Sequence, residues 1–272
     1  MLVLILVASR VRVWIEPLLH RVFHIETGDQ LQALHTRLAN KPTHSASVRH
    51  LLITCAAEIY PALEHILRAC TNLVDLGIWV SSAHKTPGVF PDLARNILQG
   101  TIQVPSLARL SLALEDLIGD NHRVLAPDLT SFTSLTHLDL TNFGPPGSAA
   151  LLQLLKRPDV LPSLHYLAIP DTDIELYLAI LALPRRLRIL CVYGETTVDD
   201  SESALAEAQI PDPRFCIVSS AGDFGAFSED WVQAAWHGVG LWERAEDRVA
   251  SRRRKALEAG RMVLYKNLQL NN

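Results

Sequence analysis

One phrase recurs six times along this chain: a large apolar residue, any two residues, Leu, any one residue, then Leu, Ile or Val. It occurs as Val48/Leu51/Ile53, Leu73/Leu76/Ile78, Leu107/Leu110/Leu112, Leu135/Leu138/Leu140, Leu164/Leu167/Ile169 and Leu187/Leu190/Val192. Successive phrases start 25, 34, 28, 29 and 23 residues apart. The last two apolar positions of each phrase alternate with other residues, so they lie on one side of an extended segment. A unit of this size cannot bury its apolar side alone and must stack on its neighbours. The phrase therefore constrains the chain to an array of similar units before any single residue is weighed.

Spacing in the twenties is that of a leucine-rich repeat. The expected fold is an α/β solenoid, with parallel strands on the concave face, helices on the convex face, and helical caps at both ends. Further strands are expected at 21–26 and 214–219, and helices at 60–69, 91–99, 148–157 and 172–182. A helix over 29–39 aligns Leu31, Leu34 and Leu38, with Asp29 as its N-cap. Pro127 predicts a loop or short 3₁₀ turn within 115–130. The slot that a regular repeat fills with Asn or Cys holds Ser81, Glu115, Phe143, Thr172 and Glu195, which predicts unequal loops and irregular curvature. Three regions follow: an N-terminal cap helix over 1–25, irregular repeats over 26–220, and a tryptophan-containing helical cap and tail over 221–272. In the last region Trp231, Ala235, Val239 and Trp242 share a helical face, while Gly238 and Gly240 permit a break into two helices.

Composition excludes several classes of partner. Apolar residues at 49% and charged residues at 20% describe a folded chain with a large core. A net charge of −4 gives no general attraction to nucleic acid or anionic membranes. The apolar run over residues 1–8 is too short to span a bilayer, and Ser9 to Trp14 does not read as a cleavage site. It is expected to form a buried helix. Cys55, Cys70, Cys191 and Cys216 have no metal-ligand spacing and are expected to be reduced packing residues of a cytoplasmic or nuclear protein.

Searching for chemistry finds little. The Asp-Phe-Gly run at 223–225 lacks every other kinase element. His20 and His24 have zincin-like spacing, but Arg21 stands where the catalytic Glu belongs, so a surface or packing pair is expected. Residues 144–148 read as a plain turn before a helix. The basic run Arg252 to Lys255 lies among Glu243, Glu246, Asp247 and Glu258, as a salt-bridged solvated helix face would. No enzyme is expected, and no catalytic residue, cofactor or metal is assigned. A remote hydrolase alternative would use His137 and Asp139.

The residues between the phrase leucines are the better functional candidates. They include Asp75, Gly77, Trp79, Arg109, Ser111, His137, Asp139, Tyr166, Ala168, Ile189, Cys191 and Tyr193, all expected to face concave solvent. The partner-binding set drawn from them is Asp75, Trp79, Arg109, His137, Asp139, Tyr166 and Tyr193. Within it Trp79, Arg109, Tyr166 and Tyr193 are the expected anchors, because aromatic and Arg side chains dominate interface energetics.

Residues 6–22, centred on Trp14-Ile-Glu-Pro17-Leu-Leu, resemble the closing segment of F-box-like proteins expanded in mushroom-forming fungi. The phrases resemble the repeat body of that family, and Asp230-Trp231 with the run Gly238 to Glu246 resembles its C-terminal motif. The resemblance implies a protein-recognition module of a ubiquitin ligase, binding its target on the concave face. It supplies no catalytic residues. The Leu-Pro helix that opens an F-box and meets the ligase adaptor has no match in this sequence. Residues 4–22 are then a remnant of the box, or the box lies upstream of Met1. A free-standing scaffold without a ligase link is the alternative.

Overall fold

The computed structural model describes residues 11, 14–55, 60–79, 102–114, 132–141, 145–184, 186–194, 209–219 and 224–270. The expected helix over 91–99, the loop over 115–130 and the apolar run over 1–8 lie outside the described residues. The protein is an α/β chain of two compact units. The first comprises Met1–His165 with Leu183–Arg185, and the second Tyr166–Ala182 with Arg186–Asn272.

In the first unit, five strands follow one another in chain order: β1 (Val22–Ile25), β2 (His50–Ile53), β3 (Asp75–Ile78), β4 (Arg109–Leu112) and β5 (His137–Leu140). Each pairs with the next in parallel. Its described helices are α1 (Gly28–Asn40), α2 (Pro42–Ser45), α3 (Tyr60–Ala69) and α4 (Pro145–Lys156). The second unit holds β6 (Tyr166–Pro170), α5 (Ile174–Leu181), β7 (Ile189–Gly194), β8 (Phe215–Ser219), α6 (Phe224–His237) and α7 (Leu241–Leu270). Its three strands are also parallel and consecutive.

The phrase builds these sheets in a visible way. Every apolar residue of the six phrases is buried. Ahead of five of them the chain makes the same tight turn, in which the first phrase residue donates its N–H to the carbonyl three positions back. The bonds run from Val48 to Ser45, Leu73 to Cys70, Leu107 to Val104, Leu135 to Phe132 and Leu164 to Leu161, at 3.0–3.3 Å. The entry to each strand repeats too. Val74 and Asp75 both donate to the Arg49 carbonyl, Ala108 and Arg109 to that of Val74, and Thr136 and His137 to that of Ala108. The same local sequence thus feeds the same backbone bonds into each new strand, which is why the pairing proceeds in register.

Local chemistry sets the helix ends. Thr27, not Asp29, is the N-cap of α1. Its hydroxyl accepts from the Gln30 N–H while the Gln30 side chain accepts from the Thr27 N–H, a complete capping box. Asp29 sits in the first turn, where its charge favours the helix dipole. Helix α4 starts at Pro145, three residues before the expected start, because proline is well tolerated in a helix's first turn. Asp173 caps α5, accepting from the Glu175 N–H at 3.0 Å. At the slot held by Thr172, the backbone N–H donates to the Tyr177 hydroxyl, which in turn donates to Asp171 at 2.8 Å. All four cysteines are buried, and burial pushes the Cys70 thiol up to about 12.

Residues 14–19 are helical but not buried: Trp14 is 71% and Leu19 64% exposed. The apolar side of this segment is therefore not absorbed by the first repeat. Among the described residues, no helix is long and apolar enough to cross a membrane.

Candidate functional site

The side of each sheet opposite the phrase leucines carries the residues singled out above, and the two units treat it differently. In the first unit the register sets His50, Asp75, Arg109 and His137 on one rung across β2 to β5. The next rung on that side carries Gly77, Ser111 and Asp139. Strands lie about 4.8 Å apart, so neighbouring side chains on a rung are within reach of one another.

The second rung is buried and hydrogen-bonded. The Trp79 indole N–H donates to Ser111 Oγ at 2.6 Å, and the Ser111 hydroxyl donates to Asp139 Oδ2 at 2.6 Å. Trp79, Ser111 and Asp139 are all buried. Asp75 is buried as well, with the His50 imidazole 3.7 Å from its carboxylate. Trp79, Asp75 and Asp139 were expected in solvent; the structure corrects this. The indole has a hydrogen-bonding serine on the adjacent strand and Gly77 brings no side chain to that rung, so the ring is held within the fold.

Arg109 and His137 remain half-buried at the strand entries. The His137 ring Nδ1 lies 2.8 Å from Thr136 Oγ1. Burial pushes the His137 imidazole down to about 3, and the Arg109 guanidinium and His165 push in the same direction. His137 is therefore neutral at physiological pH. A general base works best with a pKa near the working pH, which His137 does not have.

In the second unit the equivalent face is covered. Ala168, Ile189, Cys191, Tyr193, Cys216 and Val218 form one core with Leu241, Trp242, Ala245 and Val249 of α7. The Tyr166 ring meets the Trp242 ring edge-on at 6.0 Å, and its hydroxyl donates to Glu246 Oε1 at 2.8 Å. The Tyr193 ring stacks on Phe227 of α6 at 5.5 Å. Tyr166 and Tyr193, both expected as solvent-facing anchors, are instead packing partners of the C-terminal helices. Small or apolar residues at positions 168, 189, 191, 216 and 218 give Trp242 a surface to bury against.

The break between α6 and α7 makes this cover feasible. Gly238 adopts φ +72°, a left-handed conformation that ends α6. At Gly240 a Cβ would lie 2.4 Å from that of Ala234, so only glycine permits the helices to approach. Glu243 then accepts from the Gly240 N–H at 2.9 Å. Arg244 grips Asp230 with two bonds of 2.7 and 2.8 Å, tying α7 to α6. The break also throws Val239 into solvent, at 63% exposed, so it does not share the face expected with Trp231, Ala235 and Trp242.

The basic run divides in function. Arg252 turns inward and donates to the carbonyls of Phe215 and Ile210, with its guanidinium over the Phe215 ring at 5.9 Å. Arg253, Arg254 and Lys255 are exposed. His20 and His24 do not act together. His24 lies on β1, 3.2 Å from the Thr54 hydroxyl, whereas His20 stacks on His44 at 4.0 Å. Among the described residues one cluster has donor atoms close enough for a metal ion: Glu16, His20 and His44.

No family model matches the chain, and no curated protein matches it either.

Proposed function

We propose that the chain is an irregular leucine-rich-repeat module that binds another protein through the strand-entry rung of its first unit. The observation that carries this reading is the half-buried pair Arg109 and His137, on one rung with Asp75 and His50. The rung presents a fixed cation beside neutral imidazole, held by a hydrogen-bonded layer beneath. Such a surface suits a partner with a carboxylate or backbone carbonyls at its contact. The second unit has committed the same face to its own helices, so recognition belongs to the first.

The reading is non-enzymatic. Ser111, whose hydroxyl donates to Asp139, is enclosed between the Trp79 indole and the Asp139 carboxylate. The ubiquitin-ligase link rests on the resemblance of residues 6–22 and on the exposed apolar side chains Trp14, Leu18 and Leu19, which suit burial against a further helical element. Proximity labelling with wild type and with Arg109→Ala tests the recognition surface. Arg109→Ala is expected to lose at least one specifically labelled protein while leaving the melting temperature within the scatter of surface changes. An unchanged labelling profile would remove the rung from consideration. Pull-down with the ligase adaptor tests the link separately, and absence of binding leaves the module as a free-standing scaffold.

A further inference from the structure

Glu16, His20 and His44 come together without any role in the repeats or in the recognition rung. Glu16 and His20 are one helical turn apart on the N-terminal segment, while His44 arrives from α2. Their candidate donor atoms all lie within 4.8 Å of one another. Glu16 Oε1 is 3.1 Å from His44 Nε2, and the two imidazole rings are 4.0 Å apart between centroids. His44 is buried, and the Nδ1 atoms of both His20 and His44 are buried with no hydrogen-bond partner. His44 faces Glu16 with its Nε2, so the unused capacity that bears on a ligand is the buried Nδ1 of His20, since buried polar atoms are ordinarily satisfied.

We propose that Glu16, His20 and His44 form a binding site for a divalent transition-metal ion of the zinc class. Two imidazoles and one carboxylate are a donor set that such an ion accepts, with bond lengths of about 2.0–2.2 Å. At those lengths two ligands of a tetrahedral ion lie about 3.3 Å apart. The Glu16 to His44 distance already matches, and the His20 donor lies within 4.8 Å of both. Water completes the coordination. Arg37 and Lys41 contribute positive charge near His20, which the Glu16 carboxylate offsets only in part. The site is consequently weaker than a closed structural zinc site. Its effect is to clip the helical segment 14–19, with its exposed apolar side chains, to α2.

The test is titration of the metal-free full chain with Zn²⁺ by calorimetry, and with Co²⁺ by visible absorption. Wild type is expected to bind one equivalent, give the intense bands of four-coordinate Co²⁺, and melt at a higher temperature with metal. Glu16→Gln and His20→Asn alter half-buried residues and are expected to fold, as circular dichroism checks, yet to weaken binding at least about tenfold. His35→Asn, at the separate His35–His65 pair, is expected to bind as wild type does. Absence of binding by wild type overturns the proposal, and so does binding that Glu16→Gln and His20→Asn leave unchanged.

Discussion

The two units use one repeat phrase to build two different faces. In both, the phrase leucines are buried on one side of a parallel sheet. On the other side the first unit carries Asp75, Arg109, Ser111, His137 and Asp139, while the second carries Ala168, Ile189, Cys191, Cys216 and Val218. The apolar face recruits the chain's own helix, because Trp242 and its neighbours gain more by burial there than in water. The polar face binds itself together with hydrogen bonds and holds Arg109 and His137 half-buried at the strand entries. The phrase thus decides that a strand forms, and the residues between its leucines decide what the strand presents.

Three changes would break or sharpen this contrast. The largest effect is expected from Trp242→Ala, which empties the core beneath α7 and should cost about 3–5 kcal/mol. Hydrogen exchange should show the β7 and β8 amides losing protection first. Equal loss in β3 to β5 would mean that the two faces are not separately stabilised. Ser111→Ala should cost less, about 1–3 kcal/mol, by removing both bonds of the buried Trp79–Ser111–Asp139 file. Its effect should appear at β3 to β5 in the same experiment, and an unchanged urea midpoint would show the file to be dispensable.

The smallest effect at neutral pH is expected from His137→Gln, which acts on pH dependence instead. The His137 pKa falls from 6.5 in the unfolded chain to about 3 in the fold. Between these values the unfolded chain binds the proton and the folded chain does not, so acid favours unfolding. The contribution is fully present above pH 6.5 and is lost as pH falls toward 3. His137→Gln should therefore flatten the dependence of unfolding free energy on pH across that window, measured by urea unfolding at several pH values. An unchanged slope would show that burial of His137 does not govern it.

Much of the fold was legible because its signals are local. Each phrase marks a strand within a few residues, and the helices at 60–69 and 172–182 follow from apolar periodicity between them. The α1 start was misplaced by two residues because Thr27 and Gln30 form a reciprocal cap that outcompetes Asp29. The candidate site was legible only in part. Arg109 and His137, expected in solvent, are half-buried at the strand entries, whereas Trp79, Tyr166 and Tyr193 are used internally. No periodicity in their own segments announces this, since their partners lie at Ser111, Trp242 and Phe227, distant in the chain. The Glu16–His20–His44 cluster escaped for the same reason: the sequence pairs His20 with His24 by spacing, but the chain turns into β1 after His20 and brings His44 beside it instead.

By itself the sequence determined that the chain would alternate strands and helices and stack its leucines, because each phrase sets its last two apolar residues at strand spacing. It also determined which side of each strand would carry the phrase leucines. Only the tertiary structure decided that α7 covers the opposite face of β6 to β8. That depended on Gly238 and Gly240 breaking the C-terminal helices at the one place that lays Trp242 on β6 to β8, a choice between surfaces far apart in sequence. Burial energy is indifferent to sequence separation, so such a choice leaves no local trace in the chain.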